Sequence, residues 1–167
     1  MRIALLILSS TLALAACSPE PAVGPDGRPI AKVYRISATE APKIQQRSLE
    51  TINALRQASG AQPLQLNSSL NNASARHSRD MAQQQRPWHF GSDGSSPIDR
   101  ATSAGYSGQF LGENISETYE TELETIAAWM QDPDTRRVLL DPAARNMGIS
   151  FYQESTGKIW WTMNTGT

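Results

Sequence analysis

The sequence from Trp88 to Ile115 reads WHFGSDGSSPIDRATSAGYSGQFLGENI, and the rest of the chain is expected to fold around it. The stretch contains a histidine, His89, and a carboxylate, Glu113, each beside glycine-rich loop sequence, with a short helix predicted between them over 96–105. Glycine allows positive φ and close backbone approach, so such loops can bring two distant polar side chains to one place. The stretch therefore predicts a cleft that contains His89 and Glu113.

Segments on both sides of this stretch show the apolar periodicity of amphipathic helices. The periodicity predicts helices over 44–59, 68–84 and 117–131, followed by a short helix over 135–140. Asn67 or Ser68 is the expected N-cap of the second of these helices. Arg56 is expected on or beside the polar flank of the first. The acidic residues in the first half of the 117–131 segment are interpreted as a solvated helix face and not as a metal site.

Two late segments, 147–153 and 158–164, are rich in β-branched and aromatic residues and are separated by the turn sequence ESTG. This pattern predicts a β-hairpin. Because Trp160 and Trp161 are adjacent, we expect them on opposite faces of the sheet, one in the core and the other covered by a helix. A third strand is expected near 110–114 or at Tyr34. Since helices come first and strands come late, the predicted fold class is α+β.

The first 16 residues, MRIALLILSSTLALAA, carry one arginine and then an apolar run that is too short to cross a bilayer, which predicts a secretory signal. The sequence LAAC at 14–17 resembles the lipobox of bacterial lipoproteins, in which the cysteine becomes acylated after cleavage. Acylation of Cys17, for example with palmitate, would anchor the protein in a lipid membrane. The alternative is that Cys17 is an ordinary residue of a signal that is cleaved elsewhere. The absence of Asp at Ser18 resembles outer-membrane sorting.

Residues 17–43 are predicted to form an extended tether, because prolines recur along them and leave few amides free for regular structure. These prolines are Pro19, Pro21, Pro25, Pro29 and Pro42. Within the tether, VYRI at 33–36 is either a brief strand that docks on the domain or an apolar patch within the linker, and the sequence leaves both interpretations open. The folded domain is expected over 44–167.

Composition and motifs limit the binding partners and the catalytic chemistry that we expect. With 15 Lys and Arg against 16 Asp and Glu, the formal net charge is −1, which gives no reason to expect nucleic acid as a partner. The sequence contains no phosphate loop, dinucleotide fingerprint, G-x-S-x-G or H-E-x-x-H motif. Cys17 is the only cysteine, so the domain itself has neither a disulfide nor a cysteine nucleophile. We expect a single-domain monomer.

The order of motifs resembles the bacterial branch of the CAP superfamily, the SCP-like domain of cysteine-rich secretory proteins, antigen 5 and pathogenesis-related proteins. The resemblance covers about 48–166 and consists of the blocks INALRQASGAQPL, LNNASARHSRDMA, HFGSDGSSPIDR, GENI, WMQDPDTRRVLLDP, NMGISFY and KIWWTM. It implies an α-β-α sandwich with a small antiparallel sheet between helices. Lipid and sterol binding are known in that family.

The resemblance also implies a cleft with a tetrad of two histidines and two acidic residues, which binds a divalent metal in some members. His89 matches the first histidine and Glu113 the glutamate of GENI. In the WMQDPDT block, Asp132 falls where relatives have Glu or Ser, and Thr135 falls where the second histidine is expected. Loss of one imidazole leaves His89, Glu113 and Asp132 as metal ligands, so tight zinc binding is in doubt.

The other histidine, His77, lies on the apolar face of the 68–84 helix. Such a histidine is more often a hydrogen-bonded core residue than a ligand, although His77 is an additional candidate for the site. For His89 and Glu113 the structural alternative is a hydrogen-bonded pair that holds two loops together.

Two functions follow from these residues and the resemblance. The first is a non-catalytic binding module, tethered to the bacterial cell envelope through acylated Cys17 at the outer membrane and facing the periplasm or the exterior. Its ligand would be a small apolar molecule, an envelope component or another protein. The second is a metal-assisted hydrolase of peptide or glycan, in which His89 and Glu113 act on a water molecule. The incomplete tetrad favours the first.

Overall fold

The structure of the protein is a computed structural model that describes residues 33–37 and 39–167. The elements in this part of the chain are α1 (Ala41–Ala58), β1 (Gln65–Leu66), α2 (Ser68–Gln84), α3 (Pro97–Ser103), β2 (Phe110–Glu117), α4 (Glu122–Gln131), α5 (Pro133–Leu140), β3 (Asn146–Gln153) and β4 (Ile159–Gly166). The predicted signal, Cys17 and most of the tether lie outside the described residues. Among the described helices, none has the length and apolar composition of a membrane span.

The four strands form one sheet in the order β1-β3-β4-β2. The three long strands are antiparallel, with Ile149 opposite Met163 and Asn114 opposite Met163 on its other side. The short strand β1 pairs with β3 in parallel. The sheet is therefore mixed, whereas the sequence predicted an antiparallel one. The third strand lies at 110–117, and Tyr34 is not in a strand.

Helices cover both faces of the sheet, which confirms the predicted α+β sandwich. On one face, α1, α4 and α5 pack against β3 and β4 around the main apolar cluster. On the other face, α2 lies across β3 and β4 and α3 packs beside α2 and β2. The approach of α2 is close, since a Cβ on Gly148 would lie 2.2 Å from backbone atoms of Leu70 and Asn71.

The adjacent tryptophans lie on opposite faces as predicted, and both are fully buried. Trp161 belongs to the main cluster, whereas Trp160 packs with Met81 and Ala82 of α2. Alternation along β4 therefore divides the sheet into a face that builds the core and a face that meets α2. The second face carries the polar residues of the candidate site.

The starts of two helices differ most from the sequence prediction, each for an identifiable reason. Helix α4 begins at Glu122 and not at 117, because Glu117 pairs with Trp160 in the sheet and Thr121 forms a capping box with Glu124. Helix α1 begins at Ala41, inside the segment assigned to the tether, with Pro42 in its first turn. Proline has no amide hydrogen and is well tolerated there.

Arg56 corrects a further prediction, because it is fully buried and not on a polar flank. Its guanidinium donates to the carbonyls of four residues that precede β1 and β3. These acceptors are Gln62, Leu139, Asp141 and Ala144. The side chain thus satisfies the backbone of two loops, a role that helical periodicity does not reveal.

The described end of the predicted tether docks on the β3–β4 turn without forming a strand. Arg35 donates to the carbonyls of Glu154 and Ser155 at 3.0 and 2.5 Å. The Gln153 amide accepts from Ile36 N at 3.0 Å and donates to Tyr34 O at 2.8 Å. The segment is therefore held by side chains in place of a ladder of backbone bonds.

Candidate functional site

The end of α2 positions the loop that carries His89. Gln85 adopts a left-handed conformation with φ 52°, which ends the helix and turns the chain. His77 Nε2 donates to Trp88 O at 3.0 Å, and Trp88 Nε1 donates to Gln84 Oε1 at 2.8 Å. Because a carbonyl oxygen can only accept, the proton of neutral His77 is on Nε2. The buried histidine therefore fixes the residue next to His89.

Helix α3 places a buried arginine beside this loop. Ser96 and Asp99 form a capping box at its start, as the sequence pattern of a serine three residues before an acid requires. Arg100, one residue later, has a side chain that is only 8% exposed. Its Nη1 donates to His89 O and Ser95 O, each at 2.9 Å. The guanidinium thus holds both ends of the 89–95 loop.

Strand β2 supplies Glu113, whose side chain is 1% exposed and lies opposite Asn164 of β4. Arg100 Nη2 donates to both carboxylate oxygens, at 2.9 and 2.8 Å. His89 Nδ1 donates to Oε1 at 3.0 Å. A buried carboxylate with these donors has its charge balanced and its two oxygens occupied.

The same arrangement leaves one nitrogen of His89 available. Because Nδ1 carries the proton that is donated to Glu113, Nε2 of the neutral ring has a free lone pair. The His89 side chain is 51% exposed, in contrast to the buried Glu113 beside it. His89 can therefore accept a hydrogen bond from a ligand, while Glu113 orients the ring.

A cavity of about 350 Å³ lies in front of this pair, along the edge of β2, and we call it the cleft. Its lining comes from the 89–97 loop, β2 and the end of α5, and consists of His89, Pro97, Leu111, Gly112, Glu113, Arg137, Val138 and Asp141. A Cβ on Gly112 would lie 2.9 Å from a methyl group of Val138, so glycine lets β2 and α5 approach closely there. Apolar groups thus form much of a surface that has His89 at one side.

The structure brings together His89, Glu113 and His77, whose Nε2 lies 3.7 Å from Glu113 Oε1. Asp132 instead caps α5, and its Oδ1 accepts from Asp134 N and Thr135 N at 2.8 and 3.3 Å. Thr135 donates its hydroxyl to Trp129 O at 2.8 Å. Asp132 and Thr135 are therefore engaged in building the α4–α5 turn and do not line the cleft.

Arg100 is the residue of the site that the sequence prediction missed. It lies within the HFGSDGSSPIDR block, on the only helix predicted between His89 and Glu113. Its position in the chain, between two loops that are expected to meet, is the signal that could have identified Arg100 as a site residue. A helix of seven residues is too short for its apolar periodicity to show that this arginine points inward.

The donors present do not fit a zinc ion. Both oxygens of Glu113 accept from Arg100, and Asp132 is used as a helix cap. In the described part of the chain, no group of three His, Cys, Asp or Glu side chains is arranged to hold a metal ion. A cation at Glu113 would also have to lie beside the Arg100 guanidinium, which repels it.

His77 is buried completely, and this burial lowers the pKa of its imidazole; the nearby Arg100 acts in the same direction, while Glu113 opposes it. Its Nδ1 has no hydrogen-bond partner among the described residues. The folded protein therefore favours neutral His77.

From this we predict a pH dependence of stability. The unfolded chain takes up the His77 proton near pH 6.5, whereas the folded chain takes it up only at lower pH. The free energy of unfolding should therefore fall below about pH 6.5, by at most about 1.4 kcal/mol per pH unit from this group. Urea unfolding of wild type and His77→Gln at about pH 7.5 and about pH 5 measures it. Glutamine still donates to Trp88 O. An equal decrease in the free energy of unfolding of both proteins at the lower pH would contradict the prediction.

Sequence comparison identifies related proteins. The sequence model of the cysteine-rich secretory protein family (CAP) matches residues 49–165. The protein YkwD of Bacillus subtilis (strain 168), which is described as uncharacterised, is 32% identical over 112 residues. The alignment covers 67% of this chain and 43% of that relative, so this chain corresponds to less than half of it.

Solved structures show the same fold. An extracellular SCP-domain protein of Bacillus anthracis superposes with a TM-score of 0.70 and 18% identity, over 79% of this chain and 44% of the other. An outer surface protein of Borrelia burgdorferi gives a TM-score of 0.70 and 16% identity, over 81% of this chain and 98% of the other. The TM-scores show a common fold.

Proposed function

The chain belongs to the cysteine-rich secretory protein (CAP) family, and from this premise we propose that it is a non-catalytic binding module of the bacterial cell envelope. The observation that carries the proposal is the hydrogen bonding of Glu113. Both of its oxygens accept from buried Arg100, and Oε1 also accepts from His89. A carboxylate held in this way is a poor general base, because three of its four lone pairs accept hydrogen bonds and its charge is balanced by Arg100.

The ligand that suits the cleft best is a small molecule with an apolar body. Leu111, Val138 and Pro97 supply apolar surface, and His89 Nε2 supplies one acceptor. A volume of about 350 Å³ lies at the low end of the range for small-molecule sites. His89 at one side and Arg137 and Asp141 at the other can orient such a ligand along the apolar wall without chemical activation.

A fluorescent fatty acid is a suitable probe for this proposal. The chain from Ser18 onward, which lacks the predicted signal and Cys17, should bind it with increased probe fluorescence. Val138→Arg places a charge in the cleft and should weaken binding at least tenfold. Leu123→Arg is the matched control, because Leu123 is 51% exposed on α4 and should bind as wild type. Equal binding by both variants would overturn the assignment to the cleft.

We also propose that acylated Cys17 anchors the module to a membrane, as the LAAC junction at 14–17 indicates. The protein should incorporate a fatty-acid analogue in cells, and Cys17→Ser should abolish both incorporation and recovery in the membrane fraction. Wild-type protein without label would contradict the anchor. That result would leave the cleft proposal standing, because the two rest on different residues.

A further inference from the structure

A second cavity lies beside the cleft, and no residue lines both. It has a volume of about 360 Å³ and is formed by α2, the 92–95 loop and α3. Every residue that lines it has a polar side chain: Arg76, Asp80, Ser92, Asp93, Ser95, Arg100 and Ser103. We call it the serine pocket, because three of these seven side chains carry a serine hydroxyl.

Hydrogen bonds fix the loop that forms this pocket. Asp80 Oδ2 accepts from Ser92 N at 2.8 Å, and Oδ1 accepts from Ser92 Oγ at 2.5 Å. The loop turns so tightly that a Cβ on Gly91 would lie 2.5 Å from Ser95 Oγ and 2.6 Å from Asp93 Oδ1. The hydroxyl and carboxylate of the loop therefore converge on one spot before any ligand arrives, which lowers the entropic cost of binding.

Some charged groups of the pocket are already bonded within the protein, and others are free to bind a ligand. Arg100 is neutralised by Glu113, and both oxygens of Asp80 accept from Ser92. Arg76 makes one long bond, of 3.3 Å to Arg100 O, and Asp93 uses Oδ1 for Ser95 N. A guanidinium donor and a carboxylate acceptor therefore remain available, together with the hydroxyl of Ser103.

This mixture of donors and acceptors favours alcohol groups over ions. A hydroxyl both donates and accepts, so a ring with several hydroxyls can satisfy Asp93, Arg76 and Ser103 at once. An ion of either sign would meet a like charge at Asp93 or at Arg76. The pocket is thus suited to a neutral polyhydroxylated ligand.

An exposed aromatic ring adjoins the pocket along the chain. Phe90 directly precedes Gly91, is 49% exposed, and packs against Trp88 with ring centroids 5.6 Å apart. Its carbonyl accepts from Gln84 Nε2, which also donates to Asp80 Oδ2 at 2.7 Å. A pyranose ring presents C–H groups on one face and hydroxyls at its rim. Phe90 does not line the pocket itself, so the C–H face of a bound sugar would meet its ring at the rim, next to Gly91.

We propose that the serine pocket binds a neutral saccharide, with Asp93 and Arg76 on its hydroxyls and Phe90 against its C–H face. The pocket is separate from the cleft, because no residue lines both and its free charged groups are carried by α2 and the 90–95 loop. The ligand is the sugar unit itself, whether free or part of a glycan.

The test uses the isotope-labelled full chain in a detergent that has no sugar headgroup. N-acetylglucosamine and its linear trimer at millimolar concentration should shift the amide resonances of residues 90–95, saturably, and glycerol should not. The monosaccharide represents a free sugar and the trimer a glycan, so their relative affinities show which source fits. No saturable shift with either sugar, or an equal effect of glycerol, would overturn the proposal.

Variants locate the binding. Asp93→Asn keeps the turn and removes the charge, and Arg76→Gln removes the guanidinium; each should weaken binding about tenfold, the effect of losing one charged hydrogen bond. Phe90→Ala should weaken it similarly. Asp134→Asn on exposed α5 and Arg79→Gln on α2 are the matched controls and should bind as wild type. Variants that bind as well as their controls, or shifts confined to cleft residues, would show that the sugar does not occupy this pocket.

Discussion

Replacing Arg100 with methionine should lower the free energy of unfolding by about 3–5 kcal/mol, one of the two largest effects we expect from a single substitution. The change leaves the Glu113 carboxylate buried, with His89 as its remaining side-chain hydrogen-bond donor among the described residues. It also removes the bonds from Nη1 to His89 O and Ser95 O, so the 89–95 loop loses its fixed position. Urea unfolding at neutral pH measures the difference.

A double substitution separates the cost of an unpaired charge from the cost of lost packing. Arg100→Met with Glu113→Met removes both charges, so it should be less destabilising than Arg100→Met alone, although each change deletes contacts. Arg137→Met is the control on the surface, where the arginine side chain is 77% exposed, and should change stability by less than about 0.5 kcal/mol. A double variant that is less stable than either single variant would show that the pair does not act as a buried ion pair.

Replacing Arg56 with methionine should cost a similar amount, about 3–5 kcal/mol, for a different reason. Arg56 donates to four carbonyls, two of which lie in fully buried bonds, at Leu139 O and Ala144 O. Methionine fills much of the volume but offers no donor, and each buried acceptor left unsatisfied costs about 1–3 kcal/mol. Thermal and urea unfolding measure the loss.

Two further variants define the role of this guanidinium. Arg56→Lys keeps the charge but presents its donors from one point, so it should recover only part of the stability. Gln57→Met, at the exposed neighbouring position, should be close to wild type. If Arg56→Lys were fully stable, the charge and not the forked geometry would account for the effect.

Much of the fold could be predicted from local pattern. The periodicity of α1, α2 and the hairpin strands depends on which residues face the apolar core, and the sequence records this directly. The predicted start of α4 is too early, because the acidic residues from Glu117 onward continue without a break into the helical pattern. Glu117 instead belongs to β2, opposite Trp160. Pairing with a strand that lies far along the chain is not visible in a local window.

The candidate site was predictable in part. The resemblance identified His89 and Glu113, and the structure brings them to 3.0 Å. The buried arginines were not recognised, because charged residues are rarely inside unless paired, and their partners are distant carbonyls or a carboxylate. Thr135 and Asp132 show the converse, since their side chains satisfy the backbone around the start of α5.

Titration of the natural chain with zinc, followed by calorimetry, tests the central claim most directly. If Arg100 and His89 occupy Glu113 as the structure describes, zinc should produce no stoichiometric binding, and His89→Ala should give the same trace. Tight binding of a single zinc ion per chain that His89→Ala abolishes would contradict the account, because Glu113 would then have to leave Arg100 to hold a metal.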